Sequence, residues 1–266
     1  LEIHYSGYDV LYVPTDQIQF LQRYIGNEGE APRLSRMGGA DWKKARAKAQ
    51  KSIDNLAEKL VALYAKREIT DGYAFPPDTP FQQEFEEAFP YEETQDQLKA
   101  VAAIKESMEK PVPMDCLVCG DVGFGKTEVA VRAAFKAVMG GKQVAVLVPT
   151  TVLAQQHYQT FSERFRSFGV VCDVLNRFRS IKERKEILQK VEAGQIDVLI
   201  GTHSILNKNV KFKDAGLLIV DEEQRFGVAQ KEKWKTWATG IDVLTLSATP
   251  IPRTLHMSLV HLRQDR

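Results

Sequence analysis

The sequence predicts an α/β fold: a parallel sheet with helices on both faces, preceded by a small partial β domain and a long connecting helix. Three observations support this. From about residue 91, short apolar runs alternate with helical segments, which is the pattern of buried parallel strands. Residues 1–25 instead alternate apolar and polar side chains, as half-exposed strands do. Between these regions, residues 41–70 carry one apolar stripe at helical spacing.

The first forty residues predict a small β-sheet or barrel that is incomplete. Apolar and aromatic side chains recur there in a strand-like pattern, at Ile3, Tyr5, Tyr8, Val10 and Tyr12. A two-residue period is typical of a half-buried strand. Residues 26–40 are rich in glycine, proline and serine, which indicates a loop. We therefore assign residues 1–40 to a partial β domain and expect its first part to be missing.

Residues 41–70 predict a connecting helix with Asp41 as its N-cap. Its apolar side chains follow one another at steps of three and four residues, at Trp42, Ala45, Ala49, Ile53, Leu56, Leu60 and Leu63. We expect that stripe to be buried. The helix also carries a run of bases without an intervening acid, Lys43, Lys44, Arg46, Lys48 and Lys51. Such a run is typical of a solvated face, and the alternative is contact with DNA phosphates or a partner.

The next segment, residues 71–90, is expected to be a linker. It contains Pro76, Pro77 and Pro80, and proline cannot continue a helix. Residues 81–97 contain six acids and no base. Because acidic sequence is a poor surface for DNA, we expect this stretch to face solvent or the nucleotide side.

Residues 91–266 predict one lobe built on a parallel sheet. Apolar runs near residues 116–119, 143–148, 170–175, 196–200, 217–220 and 243–247 are separated by helical segments. In such a sheet ligands bind outside the carboxyl ends of the strands. The polar segments that follow these strands are therefore the candidates for the functional site.

The segment after the first of these strands matches the phosphate-binding pattern G-x-x-x-x-G-K-[ST] at every fixed position. It consists of Gly120, Asp121, Val122, Gly123, Phe124, Gly125, Lys126 and Thr127. It lies between an apolar run and a helical segment, as this P-loop motif requires. Lys126 is expected to reach the β- and γ-phosphates of a nucleotide, and the Thr127 hydroxyl to bind Mg²⁺. A chance glycine turn is the alternative.

A pair of acids, Asp221 and Glu222, follows the apolar run at residues 217–220. We expect this strand to lie next to the P-loop strand, so that both carboxylates reach the phosphate site. We assign Asp221 to Mg²⁺ and Glu222 to polarising the attacking water. The alternative is a solvated acidic turn.

Composition is ordinary for a globular protein, with 27% charged residues and a formal net charge of +1. This balance argues neither for nor against a nucleic-acid partner. The sequence has no initiator Met, no signal-peptide pattern and no apolar run long enough to cross a membrane, so we expect a cytoplasmic protein with no membrane partner. Cys116 and Cys119 have no second Cys or His pair nearby, and we expect buried core thiols rather than metal ligands.

Three motifs in order carry a family resemblance. The P-loop, residues 221–224 (Asp-Glu-Glu-Gln) and residues 247–249 (Ser-Ala-Thr) resemble motifs I, II and III of superfamily 2 helicases and translocases. Residues 249–254 (Thr-Pro-Ile-Pro-Arg-Thr) and 225–228 (Arg-Phe-Gly-Val) are similar to the branch that contains RecG helicases and bacterial transcription-repair coupling factors. The resemblance implies a RecA-like lobe that uses ATP and Mg²⁺.

Further motifs of the family are similar in sequence. Residues 89–97 resemble the Q motif, which implies that Phe89 packs on the adenine face and Gln97 reads its edge. Residues 149–157 resemble motif Ia, and residues 201–203 resemble a motif that touches the nucleic-acid backbone. Gln224 stands where histidine is common in the branch. This difference implies that the hydrolysis chemistry is intact, and we group Gln224 with the catalytic residues. It also implies that the coupling of the ATP state to motif III is altered.

The predicted contacts with the DNA backbone are Thr150, Thr202, His203, Arg177 and Arg179. Hydroxyls and backbone amides at strand ends hold phosphates without reading bases, and arginine supplies charge. The alternative for the two arginines is a surface position at the head of the helix predicted at 181–192. His157 and His203 lack carboxylates at ligand spacing, so structural or phosphate-contacting roles are favoured over metal binding.

The N-terminal third distinguishes the members of the branch. Residues 11–14, 23–26 and 34–45 resemble the RNA-polymerase-interacting domain of bacterial transcription-repair coupling factors and the helix after it, whereas RecG has an unrelated wedge domain. The resemblance implies a translocase on double-stranded DNA that displaces stalled RNA polymerase and meets nucleotide excision repair proteins through parts outside this chain. The alternatives are a RecG-like helicase fragment and a polymerase-binding module with an idle nucleotide site.

The sequence ends soon after the third motif. The resemblance implies a second lobe, beyond this sequence, with arginines that complete the γ-phosphate site. One such arginine is worth about 10³ to 10⁵ in turnover. We therefore expect the isolated chain to have negligible ATPase activity.

Overall fold

The computed structural model describes residues 1–4, 9–15, 17, 47 and 70–248, and the chain divides into two units, Leu1–Ala62 and Leu63–Arg266. In the first unit, β1 (Glu2–His4) pairs antiparallel with β2 (Val10–Tyr12), with Ile3 opposite Leu11. The predicted β structure at the start of the chain is therefore confirmed. The helix was predicted at residues 41–70, of which Ala47 is helical and Thr70 forms a bend. Its other residues, and residues 249–254 of the third motif, lie outside the described residues.

Residues 70–248 contain a six-stranded parallel sheet. Its strands are β3 (Asp115–Cys119), β4 (Gln143–Leu147), β5 (Cys172–Leu175), β6 (Val198–Gly201), β7 (Ala215–Asp221) and β8 (Asp242–Ser247). The spatial order is β3-β8-β7-β4-β6-β5. Each predicted apolar run became one strand within a few residues, because parallel strands buried on both faces need near-continuous apolar sequence.

Six helices accompany this sheet within the described range. They are α1 (Pro80–Glu87), α2 (Gln95–Met108), α3 (Lys126–Met139), α4 (Thr151–Phe165), α5 (Ile181–Ala193) and α6 (Val228–Trp237). Reciprocal capping boxes start two of them, Thr94 with Gln97 at α2 and Ser180 with Glu183 at α5. These caps satisfy backbone donors that have no partner inside the helix.

Alternate residues along the strands feed two hydrophobic clusters, one on each face of the sheet. Val144 and Val146 belong to the cluster that contains side chains of α1 to α4. Ala145 and Leu147 belong to the cluster that contains side chains of α5 and α6. Because successive strand residues point to opposite faces, the sheet is covered by helices on both sides. The predicted α/β architecture is confirmed.

The proline-rich segment before α1 is fixed on the lobe. Residues 71–79 form no helix or strand, as predicted. However, Phe75 is only 2% exposed in the core, and its amide donates to the Met108 carbonyl at 2.9 Å. The buried ammonium of Lys136 donates to the Pro76 carbonyl at 2.8 Å and to Asp78 at 2.8 Å. These contacts make the segment part of the lobe surface rather than a free linker.

Two acids of the acidic stretch, which was expected to face solvent or the nucleotide side, are partly buried in ion pairs, while its other four acids are exposed. Glu93 accepts a hydrogen bond from Arg132 at 2.6 Å, and Glu86 forms an ion pair with Lys105. The bases lie on α2 and α3, which the local composition of residues 81–97 could not reveal. Glu93 thus joins the Q-motif segment to α3, and Glu86 joins α1 to α2.

The expectation of buried core thiols is wrong for Cys119. β3 is an edge strand of the described sheet, and its residues alternate between half-buried and exposed. Cys116 is half-buried against the core, whereas Cys119 is exposed. A third cysteine, Cys172, lies in β5, where burial raises the pKa of its thiol to about 12. None of the three forms a disulfide.

Candidate functional site: a strand edge and an adjoining groove

Three predicted motifs meet at the carboxyl ends of neighbouring strands. β3 leads into the P-loop, and the Gly120 amide donates to the Ser247 carbonyl at the end of β8 at 3.2 Å. β7 ends at Asp221, which is paired with Leu246 of β8, and the Glu222 amide donates to the Leu246 carbonyl at 3.1 Å. The P-loop, the acidic pair and Ser247 therefore share one edge of the sheet.

The predicted neighbour relation is wrong in one respect. β8 lies between β3 and β7, so the acidic strand is not next to the P-loop strand. Crossover connections allow a strand late in the sequence to insert between two earlier ones. Strand order is therefore not readable from the apolar runs alone. Ser247 is consequently the residue in the middle of the edge.

The P-loop has the backbone that its glycines permit. Gly123 and Gly125 have φ angles of 91° and 70°, which glycine adopts without the steric cost that other residues meet. A Cβ at Gly125 would clash with the side-chain amide of Gln97. The ammonium of Lys126 donates to the carbonyls of Gly120 and Asp121 at 2.6 and 2.8 Å. The Lys126 side chain therefore folds back over the P-loop and is held by its backbone carbonyls.

The residues at this edge fit a magnesium–nucleotide complex. α3 begins at Lys126, directly after the glycine loop, and the open end of a helix attracts anionic groups. Thr127 and Asp221 supply oxygen donors, and Mg²⁺ in phosphate sites takes one or two protein oxygens together with phosphate oxygens. Among the residues described, no group of three or more His, Cys, Asp or Glu side chains is arranged to hold a metal ion.

Gln97 joins the start of α2 to the P-loop. Its Oε1 accepts from the Thr94 amide at 2.8 Å, and its Nε2 donates to the Phe124 carbonyl at 3.0 Å. Both ends of the amide thus contact protein, and the contact with an adenine edge stays a prediction. Phe89 lies beside Tyr91, with ring centroids 5.5 Å apart. Its packing on adenine also stays a prediction.

A buried ion network ties this aromatic segment to the P-loop helix. Arg132, on α3, is 2% exposed and donates to Glu128 at 3.0 Å and to Glu93 at 2.6 Å. Arg164, on α4, donates to the same Glu128 at 2.8 Å. Both guanidinium groups lie near the ring of Phe89, with Cζ of Arg132 5.4 Å and Cζ of Arg164 5.3 Å from the ring centroid. The hydrogen bond from Arg132 lowers the pKa of Glu93.

The acidic pair has two different environments. Asp221 is 9% exposed, and its Oδ2 lies 2.7 Å from Nε2 of His157. Glu222 has a φ of 53°, a conformation that is costly for a residue with a side chain and that clusters at functional sites. Gln224 donates to Glu222 at 2.7 Å and accepts from the Ser247 hydroxyl at 3.3 Å. Gln224 therefore bridges the acidic motif and the end of β8.

His157 is a functional candidate whose position at Asp221 the sequence did not predict. The sequence favoured a structural or phosphate-contacting role for this residue. The structure places it on the buried side of α4, against the acid predicted to hold Mg²⁺. One signal was available, because His157 and the buried Ala154 and Phe161 are spaced by three and four residues. That spacing indicates a side chain facing the sheet.

A groove of about 490 Å³ lies beside this edge. It is lined by Pro149, Thr150, Thr151, Val152, Asn176, Arg177, Arg184, Thr202, His203 and Ser204. Four of the five predicted DNA contacts line this groove, with Arg184, Asn176 and Ser204 as additions. Thr150 also caps α4, because its hydroxyl accepts from the Leu153 amide at 3.2 Å. The groove is therefore a candidate nucleic-acid interface.

The fifth predicted contact, Arg179, is not among the groove-lining residues. Its guanidinium donates to Asp173 at 2.9 Å and to Glu183 at 3.4 Å. These acids neutralise the positive charge of Arg179 that would otherwise attract a phosphate. The hydroxyl of Ser180 in turn caps α5, so the end of this loop has a structural role.

Among the residues described, none of the helices has the length and apolar character of a membrane span.

Comparisons with known proteins agree with the motifs. The family model described as "DEAD/DEAH box helicase" matches residues 94–258. The transcription-repair-coupling factor of Bacillus subtilis (strain 168) is 56% identical over 263 residues, 99% of this chain and 22% of the relative. Those of Staphylococcus haemolyticus (strain JCSC1435) and Staphylococcus aureus (strain USA300) are 55% and 54% identical with the same coverage. The chain thus spans about a fifth of the length of these relatives.

A solved structure is also similar. The structure of RecG bound to a three-way DNA junction superposes with a TM-score of 0.66 at 35% sequence identity. The match covers 75% of this chain and 27% of the RecG chain. The similarity extends over most of the lobe that carries the strand edge and the groove.

Proposed function

The chain belongs to the DEAD/DEAH box helicase family, and we propose that it is the ATP-binding motor lobe of a longer DNA translocase, a transcription-repair coupling factor. The observation that carries the proposal is the meeting of the P-loop, Asp221, Glu222 and Ser247 at one strand edge. A groove of hydroxyls and arginines lies beside that edge. A nucleotide site next to a phosphate-binding groove is what an ATP-driven nucleic-acid motor needs.

In this proposal the protein contributes charge and positioning to phosphoryl transfer. Lys126, held by two loop carbonyls, turns to the β- and γ-phosphates. Thr127 and Asp221 hold Mg²⁺, which neutralises phosphate charge when it is bound. Glu222 polarises the attacking water. Its carboxylate is oriented by Gln224, so the glutamine that replaces the common histidine still connects the acidic motif to Ser247.

The groove is proposed to hold the backbone of double-stranded DNA. Thr150, Thr202 and Ser204 provide hydroxyls, and Arg177 and Arg184 provide positive charge. Such contacts fix the position of a duplex without selecting a sequence. A motor that moves along arbitrary DNA requires that property. The DNA-bound RecG neighbour supports this assignment.

The whole protein is proposed to bind stalled RNA polymerase, displace it and couple transcription to nucleotide excision repair in the cytoplasm. The coupling-factor relatives match 99% of the chain, so their similarity includes the region before the lobe. The RecG structure matches 75%, which makes the RecG-like alternative weaker. We assign residues 1–40 to a partial polymerase-interacting β domain, 41–70 to the connecting helix, 71–90 to the linker and the start of the Q motif, and 91–266 to the motor lobe.

The test compares nucleic acids in an ATPase assay of the full-length protein. By this we mean a protein that contains this chain and has the length of its relatives. We expect double-stranded DNA to stimulate hydrolysis and RNA of the same length to have little effect. Stimulation by RNA alone would favour an RNA helicase. A parallel pull-down of residues 1–75 with bacterial RNA polymerase separates the coupling factor from a RecG-like enzyme, because only the coupling factor requires that contact.

A further inference from the structure

One helix joins the groove to the acidic pair. Thr150 lines the groove and caps α4 through its hydroxyl. His157 lies on the same helix and contacts Asp221 at 2.7 Å. His157 is six positions after Thr151, the first residue of α4, which is about 9 Å along the axis at 1.5 Å per residue. Less than two helical turns therefore connect a predicted phosphate contact, Thr150, with the residue that contacts the predicted metal ligand Asp221.

The environment of His157 orients its ring. The residue is 6% exposed, and its ring packs edge-on against Phe161, with centroids 6.0 Å apart. Within residues 70–248, its Nδ1 is buried and has no hydrogen-bond partner in the protein. Its Nε2 faces the Asp221 carboxylate. A neutral imidazole carries one N–H, so the proton belongs on Nε2, which donates to Oδ2 of Asp221.

This hydrogen bond limits how the Asp221 carboxylate can turn. One oxygen, Oδ2, is engaged by His157, and the other is left for a cation. Outer partners that hold a ligating carboxylate usually change metal affinity about 10- to 100-fold when they are removed. The second anchor of α4 is Arg164, which donates to Glu128 on the P-loop helix at 2.8 Å. The helix is thus fixed to both halves of the nucleotide site.

We propose that His157 is a positioning residue that sets the Asp221 carboxylate for Mg²⁺ and makes that setting depend on occupancy of the groove through α4. The inference rests on the proposed function. Phosphates bound at Thr150 act on the first turn of α4, and a shift of this turn moves the donor that holds Asp221. His157 itself touches neither the nucleotide nor the DNA in this proposal.

The experiment uses three variants of the full-length protein. His157→Gln keeps a donor at the reach of Nε2. His157→Asn keeps polarity but is too short, and His157→Ala removes the donor. Thermal melting shows whether each variant is folded. Binding of a fluorescent ADP analogue is measured as a function of Mg²⁺ concentration and also in EDTA, and the ATPase rate is measured with and without duplex DNA.

We expect His157→Asn and His157→Ala to raise the Mg²⁺ concentration at half-maximal binding about 10-fold and to reduce the stimulation by DNA. Binding in EDTA and DNA affinity without nucleotide should match the wild type. His157→Gln should restore most of the Mg²⁺ dependence. An unchanged Mg²⁺ midpoint in folded His157→Asn would overturn the positioning role, and an unchanged DNA stimulation would overturn the link to the groove.

The outcomes also separate this inference from the proposed function. If the wild type shows no Mg²⁺-dependent nucleotide binding, the nucleotide site itself is misassigned. If the wild type binds as expected and the folded His157 variants bind identically, only the role of His157 is wrong. If His157→Asn and His157→Gln lose Mg²⁺ dependence equally, reach to Asp221 is not the cause and the positioning argument fails.

Discussion

At the scale of residues, the two neighbouring acids at the end of β7 differ in what holds them. Asp221 is buried and hydrogen-bonded to His157, whereas Glu222 has a left-handed backbone conformation and is hydrogen-bonded to Gln224. These settings match the separate roles proposed for metal binding and water activation. The same difference predicts that substitutions at this edge have distinguishable effects.

The first prediction compares Lys126→Ala with Glu222→Gln in the full-length protein. Lys126→Ala should abolish ATP hydrolysis and weaken ATP binding, because a charge-assisted contact of about 1.5–3 kcal/mol is lost. Glu222→Gln should keep ATP binding and lose turnover, because the amide retains the shape but cannot polarise water. Equilibrium binding and single-turnover hydrolysis measure the two effects. Equal loss of binding in both variants would mean that the carboxylate roles are assigned wrongly.

The second prediction concerns thiol reactivity of the folded chain. Cys119 is exposed on the edge strand, so a maleimide at pH 8 should modify it first. Cys172, which is half-buried in β5, should react much more slowly, because burial raises its pKa to about 12 and leaves little reactive thiolate at that pH. Peptide mass mapping over time gives the order. Early labelling of Cys172 would contradict its burial in β5.

At the scale of elements, the arginines of the loop and helix after β5 differ in what they contact. Arg177 and Arg184 line the groove, whereas Arg179 is engaged by Asp173 and Glu183. Sequence spacing placed Arg177 and Arg179 together in one loop. The structure distinguishes them, because acids on β5 and α5 neutralise Arg179.

The third prediction follows from that division. Arg177→Ala with Arg184→Ala in the full-length protein should lower DNA affinity and flatten its salt dependence by up to about two units of slope, since each phosphate contact contributes about 0.9. Arg179→Ala is the matched control and should leave the slope unchanged. DNA binding by fluorescence anisotropy at several salt concentrations measures both. A slope that changes only in the control would place the DNA on the other side of this loop.

The elements also show how far the sequence could be used. The six strand positions, the helix after the P-loop and the helix at residues 181–192 were predictable, since apolar runs and capping signals are local. The insertion of β8 between β3 and β7 was not, because strand order depends on crossovers. The contacts of Glu93 with Arg132 and of His157 with Asp221 join residues 39 and 64 positions apart, and no local pattern records such pairs.

At the scale of the whole molecule, the chain combines a lobe of the DEAD/DEAH box helicase family with an N-terminal unit. It spans 22% of the coupling factors that it resembles. The proposed function therefore assigns nucleotide binding to this chain and complete turnover to the longer protein. The two activities should be separable by experiment.

The fourth prediction is that the isolated chain has negligible ATPase activity with or without duplex DNA and binds nucleotide at most weakly. In the proposed function, arginines of the full-length protein outside this chain complete the γ-phosphate site, and one such residue contributes about 10³ to 10⁵ in turnover. Steady-state hydrolysis by the 266-residue chain and by the full-length protein gives the comparison. Robust DNA-stimulated hydrolysis by the isolated chain would contradict the incomplete-site argument.

The most direct test of the central claim is displacement of a stalled RNA polymerase from a DNA template by the full-length protein. With ATP, we expect the wild type to release the stalled complex and Glu222→Gln to bind ATP without releasing it. Release should also stop with Lys126→Ala. Release that proceeds undiminished in Glu222→Gln would contradict the assignment of this lobe as the motor. Failure of the active wild-type ATPase to release polymerase would contradict the coupling-factor function.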